Sequence, residues 1–139
     1  MNSSESPLAK KLKLKPGLKA AVLNAPDGYL KELKHDPDIS AKLNGKFDWI
    51  QIFAKNKKEL DSLAPKAAAA LKPDSILWLS FSKGSSKLQT DLTRDKGWQV
   101  LQGMGLKFIT LISVNEQWSA FALRPYKEGE KRQSFQLGA

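Results

Sequence analysis

The chain has 139 residues, 41% of them hydrophobic and 27% charged, which suits one soluble domain with a real core and leaves little room for two. It has no cysteine, which excludes disulfides, a thiolate nucleophile and cysteine-based metal sites. Its net charge of +9 comes from 20 lysines and three arginines, Arg94, Arg124 and Arg132. Lysine is the usual solvated cation and arginine the usual grip on phosphates and bases, so the balance fits a solvated basic surface better than a nucleic-acid surface.

Residues 1–6 are polar and are expected to fray. Pro7, Leu8, Ala9, Leu12 and Leu14 predict a short amphipathic helix, with proline tolerated in its first turn and Lys15-Pro16-Gly17 as the stop. This opening stretch lacks the apolar core of a secretory signal. No apolar run reaches the ~18–20 residues of a membrane span, so no membrane partner is expected and a cytoplasmic location follows by elimination. A first strand covers 18–24 and ends in the turn cluster Ala25-Pro26-Asp27-Gly28. The segment 29–44 is ambiguous, with two weak helical stretches broken at His35-Asp36-Pro37.

Phe47 to Phe53 is a second strand, rich in aromatic and β-branched residues. Asn56 followed by Glu59 has capping-box spacing and opens a helix along Leu60, Leu63, Ala64, Ala67, Ala68 and Leu71, which Pro65 should kink or split. A third strand spans 76–81, with Ile76, Trp78 and Ser80 on one face and Leu77, Leu79 and Phe81 on the other. After a polar loop, a helix is predicted from about Thr93 through Trp98, Leu101 and Met104, closed by Gly103 and Gly105. Strands at 108–114 and 118–123 are joined by a turn short enough to make a hairpin. Residues 126–139 read as a flexible tail beyond a single domain at 7–125.

Right-handed crossovers marching in one direction set the first three strands side by side and parallel, with the hairpin following them. Both faces of such a sheet need cover. The segment at Leu8–Leu14, helped by 29–44, is the candidate cover for the face left open, with a homodimer as the alternative.

The polar loop is the best candidate ligand site. Lys83, Gly84, Ser85, Ser86, Lys87, Asp91 and Thr93 follow the carboxyl end of a strand, where open α/β sheets bind ligands, and lead into a predicted helix N-terminus suited to an anion. The plainer reading is a connection in which Asp91 or Thr93 caps that helix. Asn24, Asp27, Gly28 and Trp118 stand at the rim of the same edge. The lone His35, and Asp36 with Asp38 around Pro37, read as loop residues; neither a catalytic triad nor a metal site is expected. The four tryptophans, Trp49, Trp78, Trp98 and Trp118, read as core.

Several stretches resemble S-adenosylmethionine-dependent methyltransferases. Leu14-Lys15-Pro16-Gly17-Leu18-Lys19-Ala20-Ala21-Val22-Leu23 is similar to the approach to their first strand and Phe47–Phe53 to their fourth. Leu71-Lys72-Pro73-Asp74-Ser75-Ile76-Leu77-Trp78-Leu79 is similar to their fifth. Lys15-Pro16-Gly17, Asn24-Ala25-Pro26, Asp91-Leu92-Thr93 and Trp118-Ser119, in that order, resemble more narrowly a family of small bacterial proteins of unknown function. The resemblance implies a truncated, Rossmann-like, methyltransferase-like fold: a two- or three-layer α/β sandwich on a mostly parallel five-stranded sheet with a C-terminal antiparallel hairpin, which folds back as in that family to give the order first, second, third, fifth, fourth. It does not carry the cofactor over. Asn24-Ala25-Pro26-Asp27-Gly28 replaces the glycine-rich turn, and the strands equivalent to the second and third are missing. The expectation is a binding or regulatory domain, non-catalytic and without a cofactor, taking a small anionic ligand or a protein partner. A basic nucleic-acid-binding protein is the alternative.

Overall fold

A computed structural model describes residues 7–15, 17–33, 39–84, 90–94 and 96–131. Its elements are α1 (Pro7–Lys11), β1 (Ala20–Leu23), α2 (Tyr29–Leu33), β2 (Phe47–Ala54), α3 (Lys57–Ala69), β3 (Leu71–Ser82), β4 (Leu106–Ser113) and β5 (Trp118–Pro125). The five strands lie in the order β1-β2-β3-β5-β4, the order the methyltransferase resemblance implies. β1, β2 and β3 are parallel, while β5 is interior and antiparallel to both neighbours.

One face packs Leu23, Ile50, Ile52, Leu77, Leu79, Phe81 and Phe121 against Leu60, Ala64 and Ala67 of α3. Pro65 does not split this helix, which runs unbroken from 57 to 69. The proline ring is solvent-exposed and displaces nothing in the core; its cost stays within the helix, where the Asp61 carbonyl four residues earlier loses its N–H partner. β3 starts earlier than expected. Leu71 pairs with Phe47 and Ile76 with Trp49, and the extra residues bulge out, held where Ser75 Oγ donates to Phe47 O (2.6 Å) and accepts from Lys72 N (2.7 Å).

The other face carries Ala20, Val22, Trp49, Phe53, Trp78, Trp118, Ala120 and Ala122, and it is covered by Ala9 of α1, by Leu12 and Leu14 just after that helix, and by Tyr29 and Leu33 of α2. α1 is shorter than the predicted Leu8–Leu14 and stops before Lys15. Lys13 adopts φ 58°, Leu14 N bonds Ala9 O (2.9 Å) and Lys13 N bonds Lys10 O (3.1 Å), a Schellman ending with lysine in the place glycine usually takes. That ending leaves the Leu12 carbonyl outside the helical ladder. Two buried indoles take it: Trp49 Nε1 donates at 2.8 Å and Trp78 Nε1 at 2.9 Å. The short helix is thereby fixed to two adjacent strands. Beneath α2 a buried polar chain runs from Tyr29 OH to Gln51 Oε1 (2.6 Å) and from Gln51 Nε2 to Ser80 Oγ (2.9 Å), which satisfies polar groups that would otherwise be costly at this depth.

On the outer edge of β1 the chain makes a single parallel bridge, Ala21 to Ser40, with Ser40 N donating to Ala20 O (3.0 Å) and Val22 N to Ser40 O (2.9 Å). It then returns with Leu43 against the α3 face before β2. β4, the opposite edge, carries a bulge between Phe108 and Thr110. Residues 126–131, read from the sequence as loose, are held down. Glu130 accepts both Arg124 guanidinium nitrogens (2.9 and 2.6 Å) and Lys107 Nζ (2.8 Å), contacts that hold its carboxyl well below the usual carboxylate range.

The predicted helix from Thr93 to Met104 is not formed among the described residues. A single 3-10 turn, Gln99–Leu101, is all that remains of it. Gly97, in the interior of the predicted helix, takes φ +99°, a left-handed conformation that a right-handed helix cannot contain. At Gly97 a Cβ would lie 2.8 Å from Leu92 Cδ1 and 3.0 Å from Asp91 O. Gly97→Ala is therefore expected to cost roughly 1–3 kcal/mol in urea denaturation, from the backbone strain and the crowding together; a change within error would mean the loop shifts freely.

Candidate functional site

The carboxyl ends of β1, β2 and β3 meet the start of α3, the region where open α/β sheets place ligands. The first residue past β1 is Asn24, at φ 61°, a conformation that a short polar side chain tolerates better than most. Its Nδ2 donates to Phe53 O (2.8 Å) and to Glu59 Oε1 (3.2 Å). The same Glu59 oxygen accepts Lys55 N (2.7 Å), while Asn56 Oδ1 accepts Glu59 N (2.8 Å). This is the expected capping arrangement, except that the glutamate reaches one residue further back.

Asp91 comes to the same place from another part of the chain, and its Oδ1 accepts Lys57 N at 2.8 Å. The plainer sequence reading gives Asp91 a capping role, and Asp91 does cap a helix, but it is α3, 34 residues earlier; among the described residues no α-helix follows Asp91. Next to it, Thr90 Oγ1 donates to Lys55 O (2.5 Å). The start of α3 thus holds an internal carboxylate where an anion would otherwise be favoured.

The remaining candidates are dispersed. Lys83 is half-buried, and its Nζ donates to Ser113 Oγ (2.5 Å), across the sheet and away from α3. Gly84 is exposed, and Ser85, Ser86 and Lys87 lie outside the described residues, as do His35, Asp36 and Asp38. Thr93 is half-buried in a tight turn, where its carbonyl accepts Trp98 Nε1 (2.6 Å) and its Oγ1 accepts Lys96 N (3.2 Å). With no helix beginning at Thr93, the loop lacks the dipole that the anion reading relied on. Asp27 and Gly28 are exposed in the turn before α2. Trp118 is buried, edge-on to Phe53 at 5.0 Å, and Phe53 in turn meets Tyr29 at 4.6 Å. These three rings fill the space beneath the sheet edge.

Sequence reasoning missed Thr90 and the second partner of Glu59. Hydroxyl and carboxylate residues that bond 35 residues away carry no periodic signal. Among the described residues, no three His, Asp or Glu side chains come together as a metal site, and no helix is long and apolar enough to cross a membrane.

No family model matches the sequence, and no curated protein is significantly similar to it. Solved structures do match. A ribosomal protein L11 methylase from Lactobacillus delbrueckii subsp. bulgaricus superposes with a TM-score of 0.54 at 17% identity, over 86% of this chain and 76% of that one. Magnesium protoporphyrin IX methyltransferase from Synechocystis PCC 6803, solved with bound SAM, gives 0.58 at 14% identity over 86% and 74%. A S-adenosylmethionine-dependent methyltransferase from Clostridium acetobutylicum ATCC 824 gives 0.50 at 9% over 76% and 74%. At these identities the likeness shows the fold, a Rossmann-like α/β sheet of methyltransferase type.

Proposed function

We propose that this chain is a non-catalytic binding domain on a methyltransferase-like sheet whose cofactor edge is closed by its own side chains. The observation that carries the reading is the seal around α3. Asn24 spans from the end of β1 to Phe53 O and Glu59, and Asp91 occupies the first free N–H of the helix. A cofactor approaching there needs an open backbone turn, and Asn24-Ala25-Pro26 offers a bonded amide and a proline instead. On the far side of β1, where a neighbouring strand would supply a carboxylate to ribose hydroxyls, a one-residue bridge at Ser40 stands instead.

Isothermal titration calorimetry with S-adenosylmethionine and with S-adenosylhomocysteine tests this. Neither is expected to give binding heat. Micromolar affinity for either would overturn the reading and restore the enzyme as the working hypothesis.

A further inference from the structure

The lysines of this protein are not evenly neutralised. Lys57 pairs with Asp61, Lys72 with Asp48, and Lys107 and Arg124 share Glu130. Residues 7–26, by contrast, contain five lysines and no acidic residue. Lys19 is turned aside, with its Nζ on Asn44 O (2.9 Å) and over the Phe47 ring. Lys10, Lys11, Lys13 and Lys15 are all exposed and pair with no acidic side chain among the described residues. Lys31, on the adjoining α2, is exposed as well. A place in the last turn, favourable to a cation, accounts for Lys10 and Lys11 but not for Lys13 and Lys15 beyond it.

These lysines sit on a rigid base. Ala9, Leu12 and Leu14 are fully buried, and the Leu12 carbonyl is held by two indoles. The same burial leaves α1 without an apolar face to insert into a bilayer, and the one large apolar side chain exposed on α2 is Leu30, so an anionic membrane would be held by charge alone. Burial argues against single-stranded nucleic acid. All four tryptophans are buried, so none is available as a platform on which bases could stack. What remains is an array of point charges without base-reading groups, which suits a regular phosphate backbone.

We infer that the outer surface of the α1–α2 layer, through Lys10, Lys11, Lys13 and Lys15, binds the phosphate backbone of duplex nucleic acid without sequence preference. The inference rests on residues separate from the sealed sheet edge and stands or falls independently of it.

Fluorescence anisotropy with a short labelled duplex DNA, and with its RNA counterpart, tests the surface. Four phosphate contacts predict a slope of about −4 in log K against log salt, and a loss on the order of 100-fold between 50 and 200 mM salt. Changing the four lysines together to glutamine is expected to weaken binding at least tenfold and flatten that slope, whereas changing them to arginine keeps both. A control that replaces the exposed Lys58, Lys66 and Lys127 with glutamine should stay within about twofold, because counterion release depends on the lysines in contact. Binding to DNA, RNA or both supports the surface and identifies the duplex it serves. If the glutamine variant melts lower than the parent, comparison of the arginine variant with the control decides. The inference fails if the parent leaves both duplexes unbound at 50 mM salt, if the control weakens as much as the four-lysine variant, or if only single strands or anionic phosphatidylglycerol vesicles bind.

Discussion

A chain lacking residues 1–15 is expected to lose its cooperative thermal transition and to bind a hydrophobic dye. The deletion removes Ala9, Leu12 and Leu14, each fully buried, and uncovers Trp49 and Trp78 on the sheet. Two leucines contribute about 1.5–3 kcal/mol each through burial. The uncovered indole N–H groups of Trp49 and Trp78 exchange the Leu12 carbonyl for water, while the apolar faces of both rings become wet. The two leucines alone account for about 3–6 kcal/mol, and with the exposed rings the loss approaches the whole stability of an ordinary domain. Circular dichroism melting checks it. A truncated chain that melts within a few degrees of the parent would show that α1 is an appendage rather than half of the cover on that face. A milder companion is Leu12→Ala, which keeps the carbonyl and should cost about 2–5 kcal/mol through the cavity alone.

The second large effect belongs to Trp98. Its ring lies edge-on to Phe81 (5.4 Å) and to Phe121 (5.1 Å), and its Nε1 donates to Thr93 O. It is the buried knob by which an otherwise irregular stretch holds to the α3 face. Trp98→Ala is expected to destabilise the protein by about 3–5 kcal/mol in urea denaturation. Trp98→Phe retains most of the ring packing and loses the hydrogen bond, for about 1–3 kcal/mol. Because Leu92 and Asp91 belong to the same stretch, the alanine variant should also loosen the cap on Lys57, seen as faster amide exchange at the start of α3. Equal protection there in variant and parent would separate the cap from the tryptophan.

The sheet was legible because its information is local and periodic. Ile76 to Phe81 alternates between two apolar faces, and burial divides those residues as the alternation predicts. One-way crossovers then ordered the first three strands, the Asn115-Glu116-Gln117 turn marked the hairpin, and the methyltransferase resemblance placed its second strand inside the first. The cover by α1 followed from counting faces against helices. What failed was the segment after Thr90, where Trp98, Leu101 and Met104 have helical spacing but Gly97 lies among them. Spacing reports which residues turn toward the core, and the left-handed Gly97 among them decides that they do so without a helix. The sealed edge was only half visible. Asn56 and Glu59 announce a cap by their spacing, but Asp91 reaches Lys57 through tertiary folding, and nothing near Asp91 in the chain names its target.

Reducing a sheet to five strands leaves its outer strands exposed to pairing with other molecules, a route to fibrous aggregates. Here each border is blocked by a different means. Along β1, the outward-facing Ala20 carbonyl and Val22 N–H are already spent on Ser40, so an incoming strand finds that ladder occupied. Along β4, the bulge at Ile109 breaks the regular spacing a partner strand would need, and Lys107, held by Glu130, keeps a charge on the strand. The Ser40 bridge therefore does more than cover an edge: a strand adding to β1 would first have to displace it.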